Sequence, residues 1–141
     1  MTSATPPVEE IRDGGTIVAV IVRASFDEPG VHFFSQDRFS QQLGSIQYPS
    51  GHSILPHVHN PVPREVTYTQ ETLFIRSGRV HVDLYRSDRT WLTSRELGPG
   101  DAILLATGGH GFEIIEECSM IEVKQGPYAG DGDKTRFDPA E

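Results

Sequence analysis

The sequence predicts an all-β domain, a sandwich or barrel of short strands. Gly (14) and Pro (10) together supply about one residue in six, too many backbone breakers for a helical bundle or coiled coil. Short β-branched or alternating apolar runs recur between turn residues at a spacing of roughly 8–12 residues. The 141 residues are 36% hydrophobic, enough for one modest core and one domain.

Residues 1–15 are polar, carry Pro6 and Pro7, end in Gly14-Gly15 and read as a loose N-terminal arm. Thr16 to Ala24 (TIVAVIVRA) is rich in β-branched residues and reads as a strand. Ser25 to Ser40 is mixed around a Pro29-Gly30 turn, and Gln36 to Leu43 fits either a short helix or a strand. Leu43 to Tyr48 and Ser53 to His59 read as strands around a turn at Pro49-Ser50-Gly51. Asn60-Pro61-Val62-Pro63 is a stiff loop, because each proline fixes its own φ and turns its predecessor away from helix. Val66 to Arg76 is extended and Ser77-Gly78 turns. Val80 to Tyr85 alternates apolar and polar residues with the period of a half-buried strand. Trp91 to Leu97 returns after the Ser87–Arg89 turn, Gly98-Pro99-Gly100-Asp101 turns sharply, and Ala102 to Ala106 is a short apolar run. His110 to Ile115 and Met120 to Lys124 read as two strands around a hairpin at 116–119. One barrel domain is expected over 16–125, with a polar tail over 126–141.

The formal charge of −8 (12 basic, 20 acidic residues) argues against nucleic acid and against an anionic membrane surface as partners. No stretch approaches the roughly 18 apolar residues of a membrane span. The first residues carry no apolar segment of the kind a signal peptide needs. Cys118, the single cysteine, cannot form an internal disulfide, so a cytoplasmic location is expected. In an acidic hairpin beside Glu116 and Glu117 it is a poor nucleophile.

The chemistry lies in the histidines. On a strand, His57 and His59 point to one face. Glu71 has the parity of Leu73 and Ile75, and a carboxylate on that apolar face is costly unless paired or metal-bound. Glu65 is the rival carboxylate. His110 stands among glycines in Gly108-Gly109-His110-Gly111. Three imidazoles and one carboxylate suit a borderline divalent ion such as Zn, Fe, Mn or Ni. His32, His52 and His81 read as ordinary surface or turn residues. Arg64 and Lys124 are candidate binders of an anionic substrate group.

Around these residues the chain resembles the cupin superfamily over about residues 42–125. Gly51, five residues, then His57-Val58-His59, and Glu71, six residues, then Gly78, match the outer spacings of the family's first motif. The gap of 11 residues between His59 and Glu71 is longer than the family's roughly three or four. In the second motif Pro99, Gly100 and Gly108 are present, Ala106 stands in place of Pro, His110 comes one residue early, and the motif's Asn is missing. The stretch Ile121 to Tyr128 is similar to the end of small cupins encoded among surface-polysaccharide and nucleotide-sugar genes.

The resemblance implies a cupin double-stranded β-helix, a jelly-roll-like barrel with one metal held by His57, His59, Glu71 and His110. It implies a small polar or sugar-derived ligand and a homodimer, for which the apolar TIVAVIV strand is the candidate contact. Three function classes follow: a Lewis-acid metalloenzyme on a small polar molecule, an Fe(II)-dependent dioxygenase, and a non-catalytic ligand-binding or sensor module.

Overall fold

A computed structural model describes residues 5–139; the first four residues of the expected arm and the last two of the tail lie outside them. The chain is all-β, a curled antiparallel sheet shaped as a half-barrel. Its strands are β1 (Val8–Asp13), β2 (Thr16–Val22), β3 (Gly30–Phe33), β4 (Gly44–Gln47), β5 (Glu71–Tyr85), β6 (Trp91–Leu97), β7 (Ala102–Leu105) and β8 (Gly109–Lys124). The main sheet runs β1-β2-β7-β5-β6, β8 lies along the other side of β5, and β3 and β4 form a separate hairpin. No helix among the described residues is long and apolar enough to cross a membrane.

Several elements differ from the sequence reading. Residues 8–13, expected in the loose arm, form β1, because Ile11 is buried and the Gly14-Gly15 turn folds the segment onto β2. The TIVAVIV strand is interior. It is paired with β1 on one edge and β7 on the other, so it has no free edge for a second chain. Its unbroken apolar run serves burial on both faces. Ile17 and Val20 pack with Leu43, Leu104, Phe34 and Phe39, while Ala19 and Ile21 pack with Leu73, Ile75, Val82, Leu84 and Ile103.

Ser53–His59 is not a strand; residues 48–70 have no regular structure and are almost all exposed. Pro56 sits inside the expected strand and cannot donate to a ladder, and Pro49, Pro61 and Pro63 flank it. The turns expected at Ser77-Gly78 and 116–119 are instead irregularities within two long strands, β5 and β8.

The β5–β8 ribbon has to curl. Leu105 of β7 pairs with Glu71 at the start of β5, and Gly109 of β8 pairs with Tyr85 at its end. Only Ala106, Thr107 and Gly108 separate these partners, so four Cα steps, at most about 15 Å, link them. A straight strand from Glu71 to Tyr85 would span about 46 Å. The bend falls where the β5–β8 register shifts, between Ile75 and Val80. Gly78 lies there with φ +80°, and a Cβ on it would stand 1.9 Å from the Glu117 carbonyl oxygen.

Ion pairs draw the two ends of the strand order together. Arg95 of β6 donates to both oxygens of Glu9 in β1, at 2.7 Å at its shortest, and Arg86 lies 3.3 Å from Asp13. The Arg95 guanidinium holds the Glu9 carboxyl below its usual pKa. Asp101 pins the Gly98–Asp101 turn, accepting from the Ala24 amide (2.9 Å), the Gly98 amide (2.9 Å) and Arg23 (3.1 Å).

Gly78→Ala is expected to lower unfolding free energy by roughly 2–5 kcal/mol, a left-handed backbone penalty plus overpacking. Gly14→Ala, at φ +60° with open space around it, should cost only about 1 kcal/mol. Urea unfolding of both variants checks this, and equal losses would remove Gly78 from its role at the bend.

Candidate functional site

Residues directly paired across an antiparallel ladder share a face. Glu71 pairs with Lys124, Leu73 with Glu122, Ile75 with Met120, Leu84 with His110, Val82 with Phe112 and Val80 with Ile114. Since Leu73, Ile75, Val80, Val82 and Leu84 are core residues, the whole set lines the concave inner face. Over β8 that face is open, and Phe112 and Ile114 on it are 37% and 51% exposed.

The curl brings the two ends of the ribbon together. His110 Nε2 lies 2.6 Å from Glu71 Oε1, although the two are 39 positions apart in the chain. The Glu71 side chain is only 13% exposed. The His110 imidazole against it holds the Glu71 carboxyl down at about 2, against the opposing effect of burial; Glu122 and the positive charge of Lys124 add to the lowering. Glu122 moves the other way. The adjacent Glu71 carboxylate and its own burial both raise its pKa. Two adjacent carboxyls are thus driven apart, Glu71 toward the ionised form and Glu122 toward the protonated one.

A polar clamp holds the Glu71 end of β5. Gln70 is buried, and its side-chain oxygen accepts from the Gln41 amide (3.1 Å) and the Ser40 hydroxyl (3.3 Å). Thr72 donates to Gln41 Oε1 (2.9 Å), and Gln41 Nε2 donates to the Val123 carbonyl (3.2 Å). The start of β5 and the end of β8 are therefore tied to one loop, which fixes the backbone beneath the carboxylates.

Of the residues singled out in the sequence, Glu71, His110 and Lys124 come to this site. His57 and His59 lie on the exposed segment 48–70. Their rings stand edge to face 5.5 Å apart, and His57 Nδ1 is 2.9 Å from the Leu55 carbonyl. Arg64 and Glu65 lie exposed on the same segment. No group of three or more His, Cys, Asp or Glu among the described residues is placed to hold a metal ion. The four expected metal donors therefore stand as two pairs and do not form one cluster. Glu122 is the site residue that sequence reasoning missed. Reading 109–115 and 120–124 as separate strands hid the register that sets it opposite Leu73. The remaining histidines are ordinary. His32 bonds the Pro29 carbonyl (2.8 Å), His52 stacks on Tyr48 and His81 meets Asp83 (3.1 Å).

Comparison with known proteins found no matching family model, no similar curated protein and no similar solved structure.

Because the pKa of Glu71 is depressed on folding, its contact with His110 stabilises the fold fully above the ordinary carboxylate range, and that stability is lost as pH falls from about 4.5 toward 2. Glu71→Gln should flatten the stability profile in that window. A double-mutant cycle with His110→Ala should give a coupling of roughly 1–3 kcal/mol at pH 7. Additive losses in urea melts would show that the two side chains do not interact.

Proposed function

We propose that the chain is a small cupin-like barrel that binds, or acts on, a small polar molecule at its open concave face. Glu71 and His110 anchor that molecule. One observation carries the reading: an imidazole and a carboxylate meet at 2.6 Å, with Glu122 and Lys124 beside them, on a face otherwise built from Leu, Ile, Val, Met and Phe. Polar groups converging within an apolar concavity orient a ligand by a few hydrogen bonds while the walls exclude water. Here the pair can accept a hydroxyl proton at Glu71 and donate one from His110.

In a melting-temperature screen of the full chain against polyols, sugars and sugar acids, at least one class should raise the midpoint by several degrees. Saturation at about a hundredfold over Kd contributes about 2.7 kcal/mol. The rise should vanish in Glu71→Gln and His110→Ala. Equal rises in all three proteins would remove these side chains from the site. Turnover of the stabilising compound marks an enzyme; binding alone marks a sensor or carrier module.

A second reading adds one divalent ion, Zn, Fe, Mn or Ni, held by His57, His59, Glu71 and His110. It is favoured by the meeting of two of these four donors. Metal analysis of the purified protein separates the readings. About one equivalent, lost in His57→Ala/His59→Ala and in Glu71→Gln, supports the ion; metal-free protein that still binds the polar ligand leaves the first reading alone.

The proposal includes a homodimer. With β2 interior, the free edge of β8, 16 residues long and bearing exposed Ile121 and Val123, is the contact we infer. Light scattering on the full chain should give the mass of two chains at micromolar concentration, and a monomer would remove this part.

A further inference from the structure

The segment after β8, read from the sequence as a polar tail, folds back against the half-barrel. Thr69 donates a 2.6 Å hydrogen bond to Asp133 just before β5. The Phe137 ring stands edge-on to Tyr85 at 5.2 Å, and the Arg89 guanidinium lies 5.6 Å over Phe137. Between this segment and the end of β8 is a cavity of about 190 Å³, lined among others by Lys124, Tyr128, Asp131, Asp133, Lys134 and Arg136. The chain has only two lysines, and both are here.

Three cations, Lys124, Lys134 and Arg136, gather on this one cavity in a chain of net charge −8. Elsewhere Arg12, Arg23, Arg79, Arg86 and Arg95 each meet a carboxylate, while Arg38, Arg64, Arg76 and Arg89 make no ion pair among the described residues but do not line this cavity. Lys124, Lys134 and Arg136 make no ion pair among the described residues. Of the two carboxylates in the cavity, Asp133 already spends one oxygen on Thr69. The cavity also adjoins the concave-face site, since Lys124 is paired in register with Glu71, and the charges of Lys124 and Lys134 both reach Glu122.

We propose that this cavity holds the anionic group, a phosphate or a carboxylate, of a small hydroxylated ligand whose remainder extends toward Glu71 and His110. This rests on the reading of the concave face given above. Arg136 offers the planar fork that grips two anion oxygens, and the lysines add point charges. Asp131 and the free oxygen of Asp133 accept from hydroxyls, and the Tyr128 ring provides an exposed apolar surface. The volume suits one small ligand group rather than the roughly 300–1,000 Å³ of a drug-sized site.

Calorimetric titration of the full chain with glucose 6-phosphate, glucuronate and glucose tests this. At least one anion should bind, at least tenfold more tightly than glucose, and more weakly as salt is raised. Whichever anion binds identifies phosphate or carboxylate as the group. Lys134→Ala/Arg136→Ala should weaken that binding at least tenfold with an unchanged melting temperature, while Lys134→Arg should retain it. Absence of binding by both anions, glucose binding equal to theirs, or an unaffected double variant would overturn the proposal. If Glu71→Gln leaves anion affinity untouched while the double variant abolishes it, the anion cavity stands and the concave-face reading falls.

Discussion

The geometry of this protein depends on one constraint, the short link between β7 and β8. Three residues join a strand paired with the start of β5 to a strand paired with its end. Hydrogen-bonded ladders at both ends of β5 can form together only if β5 bends back on itself. The bend is permitted by irregular register between Ile75 and Val80 and by Gly78, whose positive φ and lack of a Cβ let the Glu117 carbonyl approach. At the other border of the sheet, Glu9–Arg95 and Asp13–Arg86 reinforce the same curvature.

The candidate site is a by-product of that curvature. In a flat sheet Glu71 and His110 would sit at opposite ends of a long ribbon. Once it curls they touch, and Glu122 and Lys124 join them through the register of β8 on β5. Burial then makes the contact consequential. A carboxylate beside Leu73 and Ile75 is held ionised chiefly by the His110 imidazole against it, and its charge in turn disfavours a second charge on Glu122. The folded-back C-terminal segment adds cations to a rim that the acidic sequence otherwise lacks.

Much of the fold was legible because strand burial writes itself into the sequence with a period of two. The β2, β6 and β7 segments follow the apolar runs closely, and the face of Glu71 follows from its parity with Leu73 and Ile75. The Ser53–His59 reading went the other way. Two histidines at i and i+2 suggested a strand wall, but Pro56 just before them removes a ladder donor, and the segment lies exposed. Spacing records which residues could share a face, not whether the backbone around them pairs.

The sequence by itself determined the all-β class, most strand positions and the buried side of β5, which carries Glu71. These follow from local periodicity and from the cost of burying charge. Only the tertiary structure decided that Glu71 and His110 touch, that Glu122 belongs with them, that TIVAVIV is interior and that the tail returns beside Lys124. Each of these depends on strand register and sheet curl, which are set by pairings between residues far apart in the chain and leave no local period to read.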